Sequence, residues 1–253
     1  MTASKIVLNA ASGVGGAGLD VDEVFSTHLY TGTGSNQTIT NGIDLSGEGG
    51  LVWVKGRSGT AGSSAWGGDI AHNLFDSTAP QKAMNSATTN ARTNYGAAGV
   101  NFTSTGFTVG YNGYNDLNYS TFPYVSWTFR KAEKFFDVVT YTGDGTSGQT
   151  INHNLGTNVG AIIIKCTDTG TNWAYWHRTF GSQEMIILNS TGASRTDLPY
   201  VSNVTDSSFT VNGSSSFVNE NTKSHVAYLF AHNDGDGDFG PDADADITIY
   251  DML

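Results

Sequence analysis

Asp234-Gly-Asp236-Gly-Asp238 sets three carboxylates at alternate positions of a Gly-rich turn, a spacing in which side-chain oxygens can converge on a hard cation such as calcium. Asp242, Asp244 and Asp246 follow them. Phe239 stands where an EF-hand loop needs glycine and Ala245 where it needs the bidentate glutamate, so the segment reads first as a solvated acidic linker. The second kind of chemistry is stacking. Tyr111, Tyr114 and Tyr119 share an Asn- and Asp-rich loop in which aromatic faces could take sugar rings and the amides could meet their hydroxyls, and Trp66 is a further candidate. Trp173 and Trp176 are candidates of the same kind, although Trp173, Tyr175 and Trp176 read first as core or interface anchors.

Catalytic constellations are harder to find. Glycan hydrolysis needs two carboxylates about 5–10 Å apart. One half of the chain offers Asp44, Glu48, Asp69, Asp76 and Asp116, and the other Asp168, Glu184, Asp197 and Asp206, with no clustered acidic motif in either. No nucleophile elbow, Walker loop or dinucleotide fingerprint occurs. The six histidines are scattered, and His72 and His177, near Phe75 and Phe180, read as sharing one repeat position with a structural role. Cys166 ends an apolar run and reads as a buried structural thiol. The expectation is a protein that is not an enzyme and needs no cofactor, calcium on Asp234, Asp236 and Asp238 being the one candidate.

What must position these residues is a β-structure. The 253 residues include 32 Gly and only 4 Pro, with 13 Phe, 11 Tyr and 5 Trp and 14% charged residues, which fits short strands joined by tight turns around a real core. A formal net charge of −11 argues against a nucleic-acid partner, whose phosphates are bound through Lys and Arg. No run approaches the roughly 20 apolar residues that cross a bilayer, and the N-terminus makes a poor signal peptide. An extracellular-looking composition without an export signal is reconciled by release on lysis, as for a virus particle.

The strongest internal signal is a repeat. Tyr30-Thr31-Gly32 with Gln37-Thr38-Ile39 returns as Tyr141-Thr142-Gly143 with Gln149-Thr150-Ile151, and Leu51-Val52-Trp53-Val54-Lys55 as Ala161-Ile162-Ile163-Ile164-Lys165. Phe107-Thr108-Val109 then matches Phe209-Thr210-Val211, and Tyr124-Val125-Ser126-Trp127-Thr128-Phe129 matches His225-Val226-Ala227-Tyr228-Leu229-Phe230. Most segments alternate at period two, whereas the runs at 51–54 and 161–164 are continuously apolar, as in strands covered on both faces. The best helical candidate is 79–91. The expected organisation is all-β: a Gly-rich N-terminal arm at 1–20, two tandem homologous antiparallel β-sandwich modules of jelly-roll type at 21–132 and 134–233, and an acidic C-terminal segment at 234–253 with a short strand at 247–250.

Three stretches carry a resemblance: Asp22 through Gly32, Asn41 through Lys55, and Phe135 through Gly143, together with Tyr124-Val-Ser-Trp-Thr-Phe-Arg-Lys131 and His225-Val-Ala-Tyr-Leu-Phe-Ala-His232. They resemble a family of structural proteins from tailed bacteriophages of marine and aquatic bacteria, including cyanophages, and the modules are similar to concanavalin-A-like jelly rolls. The resemblance covers roughly residues 1–240. It implies a virion location, in a tail fibre or tail appendage involved in host attachment. A capsid decoration or head appendage protein, and a glycan-binding or glycan-cleaving receptor-recognition protein, are the alternatives. The implied partners are other phage virion proteins and further copies of the chain, a trimer by analogy with phage fibres, with a host-surface glycan as a ligand and no membrane insertion.

Overall fold

The computed structural model describes residues 21–57, 72–111, 117–181, 184–196 and 200–232. The leader 1–20, Trp66, Tyr114 and the acidic segment with Asp234, Asp236 and Asp238 lie outside them. After one helical turn at Val21–Val24, the first half runs through β1 (Phe25–Thr31), β2 (Gln37–Thr40), β3 (Gly50–Gly56), β4 (His72–Asp76), β5 (Lys82–Asn85), β6 (Thr93–Asn94), a 3-10 turn at Gly96–Ala98, β7 (Val100–Thr103), β8 (Gly106–Val109) and β9 (Pro123–Arg130). The second half holds β10 (Phe136–Thr142), β11 (Gln149–Asn152), β12 (Val159–Cys166), β13 (Ala174–His177), β14 (Ile186–Ile187), β15 (Val201–Ser202), β16 (Ser208–Val211) and β17 (Ser224–Ala231).

These strands form four antiparallel sheets. The first half contributes β1-β9-β3-β4-β5-β6 and β2-β8-β7, and the second β10-β17-β12-β13-β14 and β11-β16-β15. The second pair repeats the first strand for strand, β6 alone having no counterpart. Register agrees as well: Leu51 faces Phe129 and Lys55 faces Val125, as Ala161 faces Phe230 and Lys165 faces Val226. Tyr30 faces Tyr124 as Tyr141 faces His225.

Alternation of side chains explains how the sheets stack. Val52 and Val54 of β3 enter a core shared with Ile39, Phe107 and Val109 of the small sheet, whereas Leu51 and Trp53, at the alternate positions, turn the other way, towards Phe136, Val138, Val226 and Tyr228 of the second half. Ile162 and Ile164 of β12 likewise join Ile151, Phe209 and Val211, while Ile163 turns towards the first half. The result is four layers, small sheet, large sheet, large sheet, small sheet, with three apolar interiors. The two continuously apolar strands, like β4, β9 and β17, contribute side chains to the cores on both of their faces.

Two expectations need correction. Residues 79–91 are not helical: they hold β5 between turns, because Gln81 adopts φ +65°, which ends any helix, and Ala83 through Asn85 find backbone partners on β4. His72 and His177 are not equivalent either. His72 opens β4 opposite Lys55, whereas His177 closes β13 opposite Ala161, so its counterpart is Asp76.

Candidate functional site

The repeated Tyr-Thr-Gly motif builds the same clamp twice. Tyr30 Oη donates to the Leu117 carbonyl at 2.8 Å and Tyr141 Oη to the Val218 carbonyl at 2.5 Å. The next residues, Asn118 and Asn219, accept at Oδ1 from the N–H of Thr33 (2.9 Å) and Asp144 (3.0 Å), and donate from Nδ2 to the carbonyls of Ser35 and Thr146. Gly32 and Gly143 close the clamp. A Cβ on either would lie 2.1 Å from the Tyr119 carbonyl oxygen or 2.3 Å from that of Glu220. Gly32→Ala and Gly143→Ala are therefore expected to cost about 1–3 kcal/mol each, read as similar falls in denaturation midpoint; a neutral result at either would show that the clamp yields. The Asn partners went unnoticed in the sequence, although Leu117-Asn118 and Val218-Asn219 stand at the same repeat spacing as Tyr124 and His225.

The clamp decides where Tyr119 points. Its N–H donates to Tyr124 Oη at 3.0 Å, its ring meets Phe122 edge-on at 5.2 Å, and 36% of the residue stays exposed. Tyr111 is half-buried, and its N–H is held by Asn36 Oδ1 at 3.2 Å. Tyr119 is thus presented at the surface. Its counterpart Glu220 is not aromatic and accepts a hydrogen bond from Thr169 Oγ1 at 3.2 Å, so any ligand surface on Tyr119 belongs to the first half alone.

The titratable groups with displaced proton affinities gather in the second half. Lys165 is fully buried; its Nζ donates to the Cys166 carbonyl at 2.7 Å and lies 3.4 Å from the Thr169 carbonyl and Thr171 Oγ1, and burial pulls its pKa down to about 8. His225, also fully buried, stacks on Tyr141 at 5.1 Å, bonds the Lys223 carbonyl through Nδ1, and leaves Nε2 without a partner. Burial holds its pKa below the usual histidine value, and that of His153 likewise. Cys166 Sγ contacts Thr169 Oγ1 at 3.1 Å in the same interior. Lys, Cys and His side by side suit nucleophilic chemistry, but a substrate needs access, and all three are sealed from solvent. The cluster packs; it does not present.

Asp44, Asp76, Asp137, Asp168 and Glu184 are committed to local structure. Asp76 binds Arg92 of its own half at 2.6 Å, and Tyr228 Oη of the other half donates to it at 2.6 Å across the join. Asp137 takes Lys131 at 3.0 Å together with the N–H groups of Val138 and Asn154. Asp44 holds the hydroxyl and N–H of Ser46, which keep its pKa below the ordinary aspartate value. Asp168 accepts the Ser224 N–H, and Glu184 the Gly181 N–H. Trp173 is the anchor the sequence led us to expect: it is buried in the join, with Nε1 donating to the Asn85 and Thr88 carbonyls at 3.2 and 3.1 Å. Among the described residues, no group of three or more His, Cys, Asp or Glu is placed to hold a metal ion.

A family model described as a domain of unknown function, DUF7483, matches residues 20–244, and so spans both halves as one unit. No curated protein and no solved structure matches the chain.

Proposed function

We propose that this chain, which belongs to the DUF7483 family, is a non-enzymatic structural protein of a tailed-phage particle. In this reading two tandem homologous β-sandwich modules form a stiff spacer in a tail fibre or tail appendage that meets the host. The observation that carries the reading is the join. Leu51, Leu74 and Met84 of one half and Phe136, Val138, Trp173, Val226 and Tyr228 of the other are all buried against one another, with Phe129, Phe135 and Phe230 packed around them. Two like-ordered sandwiches fused face to face transmit force and leave the outer small sheets and loops for contact with other proteins. The sequences that resemble phage structural proteins fall on β3, β9 and β17 at the centre and on β1 and β10 beside them.

Other virion proteins and further copies of the chain, a trimer by preference, are the partners this reading assigns, with the leader 1–20 as the attachment arm. Gradient-purified particles of the encoding phage, labelled with antibody against the chain, are expected to show label on the tail. Label over the head would make it a capsid decoration protein, and absence of the chain from particles would overturn the reading. Incubated with host polysaccharide, the purified chain is expected to release no reducing ends. Release abolished by one Asp or Glu substitution would make it a glycan-cleaving protein instead.

A further inference from the structure

The two halves differ at one corresponding place. In the first half Phe75, opposite Val52 on β4, is 1% exposed and is covered edge-on by Tyr95, with ring centroids 5.4 Å apart, just before the 3-10 turn at Gly96–Ala98. Its counterpart in the second half is Trp176, opposite Ile162 on β13. Among the described residues no ring covers it. β14 pairs only with Ala174 and Tyr175, so it stops short of Trp176, which borders an open cleft of about 410 Å³; the corresponding cleft of the first half, about 600 Å³, is lined by Glu48, Ser77, Asn101 and Phe102 and has neither a tryptophan nor a cation.

Trp176 and Phe180 supply aromatic surface to this cleft, Ser202 and Asn203 line the opposite wall, and Arg178 stands at its edge. Ser202 Oγ accepts from Asn212 Nδ2 at 2.9 Å, which leaves its hydroxyl proton for a second partner. Arg178 is exposed and forms no ion pair among the described residues, in a chain whose formal net charge is −11. Each feature selects for part of one ligand class. A tryptophan face takes the apolar face of a pyranose ring, hydroxyl and amide groups take its hydroxyls, and an unpaired guanidinium takes a carboxylate in a two-point hydrogen bond. The volume is that of a small-ligand site.

We infer that the cleft between β13 and β15 binds an acidic saccharide, a hexuronate unit, with the ring on Trp176 and the carboxylate on Arg178. The inference rests on the cleft alone and holds wherever the protein is located. Its test is calorimetric titration of the full chain with oligogalacturonate, with galacturonic acid as the single-unit arm and a neutral glucose oligomer as control. Wild type is expected to bind the acidic oligomer, and Arg178→Gln, an exposed change that leaves the core intact, to weaken it by roughly ten- to hundredfold. The neutral oligomer is expected to bind more weakly and to be indifferent to Arg178→Gln. Binding of the oligomer but not of galacturonic acid would assign the site to polymer chains, and comparable binding of both to a single unit. Because Trp176→Ala could loosen the sandwich, quenching of indole fluorescence by the oligomer in wild type and in Trp176→Phe provides the second readout, with loss of most of the quenching expected in the variant. Absence of binding at millimolar oligomer, or equal affinity in wild type and Arg178→Gln, would overturn the inference.

Discussion

Asp76→Ala is expected to remove about 3–5 kcal/mol of stability, because it strands the largely buried Arg92 guanidinium, whose side chain is only 10% exposed. Asp76 is 1% exposed, and its Oδ2 receives both Arg92 Nη2 and Tyr228 Oη at 2.6 Å. Its Oδ1 accepts the Thr78 N–H at 2.9 Å and the Thr78 hydroxyl as well, while Arg92 Nη1 reaches Thr78 Oγ1 at 3.2 Å. Arg92 Nε already lacks a partner, so the guanidinium has no reserve once the carboxylate goes. For a chain of this length the loss corresponds to a fall in Tm of roughly 10 °C. Tyr228→Phe removes one hydroxyl and is expected to cost about 1–3 kcal/mol. The two residues belong to different halves, so the coupling energy in a double-mutant cycle measures the join itself. Additive effects, or an unchanged midpoint in Asp76→Ala, would mean that the halves are held by apolar contact alone.

Strand order was legible in the sequence because it rests on patterns that burial enforces. Leu51 through Val54 and Ala161 through Ile164 are apolar at every position, and they occupy corresponding inner strands covered on both sides. What pattern does not carry is which surface covers a residue. Lys55 and Lys165 are identical in type and position, yet Lys55 is exposed and Lys165 fully buried, with Thr169 and Thr171 folded back over Lys165. Phe75 and Trp176 part in the same way: Phe75 is covered by Tyr95, twenty residues further along, whereas among the described residues no ring covers Trp176. The sequence offers Trp176 both as a stacking residue and as an anchor, and pattern favours the anchor; it is one along one side, packed against the second-half core. The helix expected at 79–91 failed for a related reason, since helix propensity summed over a window ignores a single left-handed residue, Gln81, and a strand edge waiting alongside.

The pH dependence of stability follows from Lys165. Its ammonium donates to carbonyl and hydroxyl oxygens, and burial lowers its pKa from 10.5 to about 8. Below about pH 8 the lysine is charged in both states and folding bears the full cost of burying it. Between 8 and 10.5 the unfolded chain keeps the proton that the folded chain has released, so stability rises with pH. The displacement corresponds to about 3 kcal/mol across that window. Above pH 10 the sign reverses. Burial pushes Tyr30, Tyr141 and Tyr228 well above 10, with Asp76 adding to the shift at Tyr228, so the folded chain holds protons that the unfolded chain loses and stability falls. Acid acts through His153 and His225, whose depressed affinities mean that stability drops as pH falls through 6.5 and the unfolded chain takes up protons first. Urea denaturation midpoints are thus expected to climb from pH 7.5 to a maximum near pH 10 and then to decline. Lys165→Met should abolish the climb while keeping the decline, even if the carbonyls of Cys166 and Thr169 lose a donor and the whole curve shifts down. Parallel curves for wild type and Lys165→Met between pH 7.5 and 10 would show that water reaches Lys165 Nζ through the 167–171 turn and that the charge is not buried in solution.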